Sequence, residues 1–481
     1  MAGRLHYCSF RLTTNVCQRC IFTFIRPVNL SPNHLLMTEA TALAQSDAPT
    51  TIIAHCDPAS HDQGEKIVVI GGGPVGIRFA DELLKRRPFA HITVLGNEPY
   101  QPYNRVQLSS LLAGDVSYDD IITTLPNSKI HPNFNHIVSA VRAIDYQHQN
   151  ITDIKGECIA YDRLVIATGA RPHVPNIPGT DQQGVYTFRN LKDAESLYAR
   201  VSSARHIVVV GGGLLGLESA KALSRFNTQV TLIQQGPHLM NRQLDPDAAQ
   251  KLNALVSALG IRVITNSGVR HILGEGRVEG VVTRDKDTLA CDTVLLCAGI
   301  KPNIELARAA KIKVGRGIWV DDQMATSAPN VYAIGECCEH RDTTYGLVNP
   351  GFEQAAILAD QLCNGDAQYQ GSLEVSRLKV LGADICSMGE VNEFEKRPFL
   401  HQFRYRDKKH NIYRKVVLFR GRIIGAVAFG EWNESRQIQE AYQNQRRIWP
   451  WQIALFLLNG RLFGNLAQAH VTRWAPSTVV C

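Results

Sequence analysis

The chain has 481 residues, of which 44% are hydrophobic and 20% are charged, and its formal net charge is +7. This length allows two or three domains with buried cores, and the composition excludes a chain that is disordered throughout. A net charge this modest, with no clustered basic face, does not indicate nucleic-acid binding. No apolar run reaches the roughly 18–20 residues that a membrane span requires.

Residues 1–63 do not have the pattern of a domain, and we expect a disordered extension. Four arginines precede the first acidic residue, Glu39, which is similar to the composition of a transit peptide; an alternative is a true start at Met37. Cys17 and Cys20 have the spacing of a metal-binding pair, but the other cysteines of this segment stand alone. A structural zinc site needs four ligands, so we expect no metal there.

The first nucleotide-binding pattern lies at residues 66–80. A run of β-branched residues ends in G-x-G-x-x-G, formed by Gly71, Gly73 and Gly76, and a helical pattern follows. Glycines at these positions let the backbone turn sharply and lie against a pyrophosphate, and the helix N-terminus favours its charge. The pattern predicts a dinucleotide site.

Two polar residues after the next strand, residues 91–95, are candidates for the same site. Glu98 stands where an acid would bind the adenosine ribose, although it is also consistent with a solvated turn residue before Pro99. Arg105 is a candidate for a pyrophosphate oxygen, with an ordinary surface arginine as the alternative. Residues 108–112 read Leu-Ser-Ser-Leu-Leu, where flavin-dependent disulfide reductases carry redox thiols. We therefore predict no thiol relay.

Two similar strand-to-turn patterns, at residues 161–172 and 294–303, bracket an inserted domain. Each ends in small residues that let the chain pass close to a bound dinucleotide and cross to the next domain. The predicted cofactor contacts in these two turns are Ala167, Thr168, Gly169, Arg171 and Gly299.

A second strand, glycine turn and helix follow at residues 207–222. The predicted coenzyme contacts there are Gly211, Gly213, Gly216 and Glu218, although Glu218 also suits a purely structural role in the first helical turn. Gln234 and Gln235 end the next strand, where NAD-binding folds usually place an acid; the nearest arginine is Arg242. The choice between NADH and NADPH stays open, with NADH slightly favoured. Two dinucleotide sites in one chain predict two cofactors face to face, as hydride transfer requires.

The chain then returns to the first domain. A strand at residues 330–336 ends in Gly335 and Glu336, an acid suited to the ribityl hydroxyls of a flavin. A helix that opens near Phe352 would direct its N-terminus at the flavin ring edge that becomes negative on reduction. Cys337 and Cys338 are adjacent, which disfavours a disulfide, and we interpret them as small packing residues.

Residues 376–442 have alternating apolar runs that predict strands, and residues 451–458 predict a packed amphipathic helix. Residues 64–366 resemble the two-dinucleotide-fold flavoproteins of the pyridine nucleotide-disulfide oxidoreductase superfamily, because all their motifs stand in order. Narrower stretches at residues 239–245, 335–341 and 378–382 are similar to the FAD/NAD(P)H-binding part of assimilatory nitrite reductase large subunits and of nitrate reductase electron-transfer subunits.

The resemblance implies an α/β fold with two Rossmann-like dinucleotide-binding domains, the second inserted in the first, and a small C-terminal α+β domain. The expected bounds are 64–172 and 301–366 for the FAD-binding domain, 173–300 for the NAD(P)H-binding domain and 372–445 for the C-terminal interface domain. Residues 446–481 would be a helical tail toward a [2Fe–2S] module. Cys481 would match only its first ligand, so we expect no cluster within this chain.

The implied function is that of an FAD-dependent NAD(P)H oxidoreductase that passes electrons to an iron–sulfur acceptor. Its partner would be a redox protein or the catalytic subunit of a nitrate or nitrite reductase. We expect a cytoplasmic protein, possible as a homodimer, with no side chain acting as catalytic acid or base. Two alternatives stay open: an NAD(P)H:rubredoxin or ferredoxin reductase, and a non-enzymatic flavoprotein that senses NAD(P)H.

Overall fold

The computed structural model describes residues 64–380, 383–392 and 397–463. The expectations for residues 1–63 and for Cys481 lie outside these ranges. Within them, every helix is too short or too polar to cross a bilayer.

The first part of the chain begins a parallel sheet and adds a small antiparallel one. Its elements are β1 Lys66–Ile70, α1 Pro74–Arg86, β2 His91–Gly96, α2 Leu108–Leu112, α3 Tyr118–Ile121, β3 Phe134–Val138, β4 Val141–Asp145, β5 Asn150–Asp153, β6 Cys158–Ala160, β7 Arg163–Ile166 and β8 Ala170–Pro172. Strand β1 is buried at four of its five positions. A β-branched run of this kind forms an inner parallel strand because helices cover both faces of the sheet.

The second part repeats the arrangement. Its elements are β9 Val185–Thr187, α4 Leu191–Val201, β10 His206–Val210, α5 Leu214–Leu223, β11 Gln229–Ile233, α6 Pro246–Ala258, β12 Arg262–Ile264, β13 Val269–Leu273, β14 Gly280–Thr283, β15 Thr288–Ala290, β16 Thr293–Leu296 and β17 Ile300–Pro302. Five of these strands form a parallel sheet in the order β12-β11-β10-β16-β9.

The chain then continues with α7 Glu305–Ala309, β18 Ile318–Val320, β19 Val331–Ala333, β20 Cys338–His340 and α8 Val348–Gln361. Strand β19 completes the first sheet, and β18 pairs with β20 in a separate two-stranded sheet. The first sheet has the order β19-β7-β1-β2-β3, all parallel. Strands β8 and β17 pair antiparallel, with Arg171 opposite Lys301. The chain thus leaves and re-enters the first domain at one place. This confirms the predicted fold class, in which the second dinucleotide-binding domain is inserted in the first.

The last part forms an antiparallel sheet and two helices. They are β21 Val375–Val380, β22 Ala383–Gly389, β23 Leu400–Asp407, β24 Ile412–Phe419, β25 Arg422–Phe429, α9 Ser435–Gln443 and α10 Pro450–Asn459. The helix predicted at residues 451–458 is α10; it buries Gln452 and Phe456 and leaves Trp451 and Leu458 exposed.

A buried polar contact joins this C-terminal domain to the inserted domain. Asp245, the residue that caps α6, lies 3.2 Å from the Nζ atom of Lys415 on β24, and both side chains are at most 4% exposed. Tyr413 donates a hydrogen bond to the same carboxylate, and Lys415 also donates to the Val391 carbonyl at 2.8 Å. Two more bonds reach the loop before α6, from Ser387 and from Asn392. The C-terminal domain therefore holds the loop that precedes α6.

Candidate functional site

One cavity of about 970 Å³ lies between the first glycine turn and helix α5 of the inserted domain. Residues 70–75 of the first glycine turn line it, and so do Leu214, Leu215 and Glu218 of α5, which follows the second glycine turn. Ligands of open parallel sheets bind beyond the carboxyl ends of the strands, which is where both turns lie. The cavity thus extends from the first glycine turn to the start of α5, the helix that follows the second glycine turn.

The glycines of the first turn have two different roles: two are required by the backbone fold, and one leaves open space. A Cβ atom at Gly71, where φ is +126°, would lie 2.2 Å from the Ala167 carbonyl oxygen, and one at Gly76 would lie 2.0 Å from the Gly71 oxygen. These two glycines are required by the backbone itself. A Cβ at Gly73 would meet only the end of Arg105, at 3.8 Å.

The second turn repeats this division. A Cβ at Gly211, where φ is +117°, would lie 2.2 Å from the Cys297 oxygen, and one at Gly216 would lie 1.8 Å from the Gly211 oxygen, whereas Gly213 has nothing within 4 Å. In each turn the middle glycine faces open space at a helix N-terminus. This space, with the helix N–H groups beside it, fits the pyrophosphate of a dinucleotide.

Glu98 and Arg105 form an ion pair with each other at the edge of the cavity. Tyr103 donates a hydrogen bond to Glu98 at 2.6 Å, and its ring lies 5.3 Å from the Arg105 guanidinium. The two predicted residues are therefore held together beside Gly73. His136 of β3 also lines this end, with its Nε2 atom 3.1 Å from the position of a Cβ at Gly72. His136 was not among the residues predicted from the sequence.

The turn from Ala167 to Arg171 lines the cavity and is tied to the second crossover. Thr168 donates to the Asn303 carbonyl at 3.0 Å, and Asn303 donates back to the Thr168 carbonyl at 2.8 Å. Arg171 forms a half-exposed ion pair with Glu305 at 2.7 Å. Gly169, with φ of +64°, completes the turn.

Glu336, the predicted ribityl acid, pairs with an arginine that the sequence analysis missed. Arg189 follows β9 in the inserted domain; its Nη2 atom contacts Glu336, and its Nε atom donates to the Ala170 carbonyl at 3.1 Å. Both Arg189 and Glu336 line the cavity. No local motif marks Arg189, because it reaches the first domain only through the packing of the two domains.

Glu218 lies in the cavity wall at the contact between the two dinucleotide-binding domains. Ser109 of α2 donates a hydrogen bond to its Oε2 atom at 2.9 Å. Burial raises the pKa of Glu218, and the bond from Ser109 offsets only part of that increase. A serine hydroxyl therefore occupies the position for which the sequence analysis considered a redox thiol, and it bonds a carboxyl group of the opposite domain.

The raised pKa gives a testable pH dependence. Between the ordinary value of 4.5 and the higher folded value, the folded protein binds more protons at Glu218 than the unfolded chain does, so stability falls as pH rises. The Glu218→Gln variant should escape this loss, by about 1.4 kcal/mol for each pKa unit of elevation. Thermal unfolding of both proteins from pH 5 to 8 should show a gap that widens with pH. A gap independent of pH would contradict the raised pKa.

Six predicted residues do not line the cavity: Gly76, Gly211, Gly213, Gly216, Gly299 and Phe352. Among these, Phe352 packs elsewhere. Its ring lies 5.8 Å from the Arg78 guanidinium, between α8 and α1, and the residues of this helix start that line the cavity are Val348 and Asn349. Phe352 stands one helical turn beyond Val348, about 6 Å further along the axis from the helix start that meets the cavity. Gly299, with φ of +100°, forms the crossover turn, where its carbonyl accepts from His173. Gly335 does line the cavity.

The adenosine end of the second site contains a different arginine from the one nearest in sequence. Gln234 accepts a hydrogen bond from the Gly212 N–H at 2.8 Å and donates to Asn241 at 3.0 Å. With the amide of Gln235 turned so that its oxygen faces the guanidinium of Arg284, the two lie 2.9 Å apart. Arg284 follows β14, about fifty residues further along the chain, and only the fold brings it here.

Cys337 and Cys338 are free, fully buried and bonded to backbone carbonyls. Burial raises the pKa of both thiols, which keeps them protonated. Among the described residues that line the cavity there is no cysteine.

Two protein families match this chain. The family described as pyridine nucleotide-disulphide oxidoreductase matches residues 65–356, and the rubredoxin NAD⁺ reductase C-terminal domain matches residues 375–446. An assimilatory nitrate reductase electron transfer subunit from Bacillus subtilis (strain 168) is 36% identical over 80% of this chain and 50% of its own length. A nitrite reductase [NAD(P)H] from the same organism is 36% identical over 80% of this chain and 48% of its own length.

A solved ferredoxin reductase from Rhodopseudomonas palustris has 25% identity and a TM-score of 0.74, over 81% of this chain and 97% of its own. The present chain spans about half the length of the two curated relatives.

Proposed function

The chain belongs to the pyridine nucleotide-disulphide oxidoreductase family, and we propose that it is an FAD-dependent NAD(P)H oxidoreductase that supplies electrons to an iron–sulfur acceptor. The observation that carries this proposal is the cavity that extends from the first glycine turn to the start of α5, together with the open space beside the middle glycine of each turn. The same cavity lacks a lining cysteine among the described residues, which favours direct transfer over a thiol relay.

Different residues would bind different parts of the two cofactors. The turn at Gly73, with Arg105 beside it, would hold the FAD pyrophosphate, and Glu98 would hold the adenosine ribose. Glu336 would accept hydrogen bonds from the ribityl hydroxyls, and Arg189 would keep that carboxylate in place. The turn at Gly213 would hold the coenzyme pyrophosphate.

When bound, FAD supplies the chemistry of accepting a hydride from the nicotinamide and releasing electrons singly to an acceptor. The residues that line the cavity would orient the two cofactors toward each other and exclude water. Ser109 and Glu218 lie at the contact of the two domains, where their hydrogen bond would fix the distance between the two halves of the site. The N-terminus of α8, at Val348, would favour negative charge on the ring edge beside it.

The same geometry supports use of both coenzymes. No carboxylate stands at Gln234 to repel a 2′-phosphate, and Arg284 supplies a positive charge against the neighbouring Gln235. We therefore propose that the chain accepts NADPH as well as NADH.

Replacing Gln234 with glutamate should select against NADPH. The carboxylate keeps the length and the acceptor for the Gly212 N–H, but it repels a 2′-phosphate and binds the ribose hydroxyls of NADH. We expect kcat/KM for NADPH to fall relative to NADH by at least about tenfold, since like charges brought together cost several kcal/mol. Gln229→Glu, at the exposed start of the same strand, is the matched control. An unchanged ratio of kcat/KM for NADPH to that for NADH in Gln234→Glu would show that position 234 does not determine coenzyme choice.

The electron acceptor is proposed from the relatives. Similarity to an electron transfer subunit of nitrate reductase and to a nitrite reductase supports the catalytic subunit of such an enzyme as acceptor. The C-terminal match, which is to a rubredoxin reductase domain, supports a small iron–sulfur protein as the second candidate. The predicted domain boundaries, the homodimer and the cytoplasmic location stay predictions.

Purified protein reconstituted with FAD provides the test. We expect NAD(P)H-dependent reduction of ferredoxin or rubredoxin under anaerobic conditions, and little reduction of a disulfide substrate such as glutathione disulfide. If the protein reduces the disulfide and neither one-electron acceptor, the proposed function is wrong.

A further inference from the structure

A second cavity, of about 540 Å³, lies in the inserted domain and is lined by three arginines and one aspartate. Arg205, Asp292 and Gln183 stand immediately before or close to the starts of β10, β16 and β9. These are the amino-terminal ends of three neighbouring parallel strands. The glycine turn at Gly213 follows the carboxyl end of β10, which is the opposite end of this sheet. A five-residue strand separates the two ends by about 16 Å, so this cavity is not part of the coenzyme site.

The negative charge of the aspartate in this cavity is already compensated by an arginine. Asp292 accepts hydrogen bonds from the Arg205 N–H at 2.7 Å and from the Thr293 hydroxyl at 2.7 Å, and it pairs with Arg200 at 3.2 Å. Burial alone would raise the pKa of Asp292, but these contacts lower it overall and keep the group ionised. Arg200 also donates to Thr293 and to the Asp292 carbonyl. Arg200 and Asp292 therefore form a closed unit in the wall.

The other two guanidinium groups are not engaged. Arg205 and Arg277 are exposed, and within the part of the chain that the structure describes neither guanidinium has a hydrogen-bond or ion-pair partner. The lining also contains Ser203, whose hydroxyl donates to the Arg200 carbonyl at 3.1 Å, and the side chains of Gln183 and Tyr186. Two free guanidinium forks in one lining match the oxygens of a phosphate group, which guanidinium binds in bidentate fashion.

We propose that this cavity is a second binding site, for a small molecule that carries a phosphate group, with Arg205 and Arg277 as its anchors. The volume suits a small metabolite as well as free phosphate. A phosphorylated metabolite and free phosphate would present the same phosphate oxygens to the two arginines.

The position of this cavity connects it to the main one. Helix α4 begins after Asn190, which lines the large cavity, and ends at Val201, next to Arg200 of the second. Strand β9 runs from Gly184 in the second cavity toward Arg189, the partner of Glu336. An occupant would therefore contact elements that also shape the flavin site, without competing with the coenzyme.

The test is isothermal titration of the FAD-loaded protein with orthophosphate and, separately, with ribose 5-phosphate, each with and without saturating NAD⁺. We expect binding that NAD⁺ does not displace, weakened at least about tenfold by Arg205→Gln or Arg277→Gln and abolished in the double variant. Tighter binding of ribose 5-phosphate would identify a phosphorylated metabolite as the ligand, and equal binding would identify free phosphate.

The control is Arg262→Gln with Arg308→Gln, two exposed arginines elsewhere that give the same change in net charge. Binding equally weakened in the control, binding that survives in the Arg205 and Arg277 double variant, displacement by NAD⁺, or no binding of either probe would overturn the proposal. Thermal unfolding in phosphate-free buffer shows whether the double variant is folded, so that a folding defect is not mistaken for loss of the site.

Discussion

Gly213→Val should strongly weaken NAD(P)H binding while the protein stays folded and retains its flavin. The backbone at Gly213 is extended, with φ of −82°, so valine can adopt it, and a Cβ there meets no protein atom within 4 Å. The side chain would instead fill the space proposed for the coenzyme pyrophosphate. We expect coenzyme affinity to fall by at least about 100-fold, or ~2.7 kcal/mol, since close approach of the backbone is lost. Equilibrium titration of the FAD-loaded variant with NAD(P)H would measure it.

The neighbouring Gly216 provides the matched control. A Cβ there would lie 1.8 Å from the Gly211 oxygen, so Gly216→Val should impair folding of the whole inserted domain, unlike Gly213→Val. Gly73→Val should produce the complementary loss, that of FAD. If Gly213→Val bound the coenzyme normally, or if it lost flavin as Gly73→Val does, the assignment of one dinucleotide to each turn would be wrong.

Lys415→Met should destabilise the protein by about 3–5 kcal/mol, because it leaves the carboxylate of Asp245 buried without its ion-pair partner. The Lys415 and Asp245 side chains are 4% and 3% exposed, so water cannot solvate the carboxylate that remains after the lysine is removed. Urea unfolding followed by tryptophan fluorescence would show the shift. Lys408→Met, on the exposed turn of the same hairpin, should have almost no effect.

The double variant Lys415→Met with Asp245→Asn separates burial of an unpaired charge from general damage to the interface. It should recover part of the loss, because no uncompensated charge remains. A double variant as unstable as the sum of the two single variants would show that the pair is not coupled. Since Asp245 ends the loop that contacts Gly212 through Met240, coenzyme affinity should also weaken in Lys415→Met.

The fold and the positions of both glycine turns follow from local sequence. Gly71 and Gly76 are required by contacts within a few residues or with the adjacent strand, so a short motif is sufficient to predict them. The family and the fold class that the motifs imply are confirmed. The motif of Gly211, Gly213 and Gly216 repeats the geometry because the same local requirement applies.

The residues that the sequence did not indicate come from contacts between distant segments. Arg189 reaches Glu336 across 147 positions, and Ser109 reaches Glu218 across 109. Arg284 likewise reaches Gln235 from a distant segment of the chain. Phe352 lies outside the cavity lining because it stands one turn beyond the start of α8, and a role for it at the flavin stays a prediction.

Anaerobic mixing of the FAD-loaded protein with NADPH or NADH, followed by the visible absorbance of the flavin, tests the central claim that both cofactors occupy one cavity. We expect rapid bleaching of the flavin absorbance in the wild-type protein, and return of that absorbance when a one-electron acceptor is added. We expect no bleaching in Gly213→Val. Tight binding of both FAD and NAD(P)H without any bleaching would contradict the claim, because the two sites would then be separate.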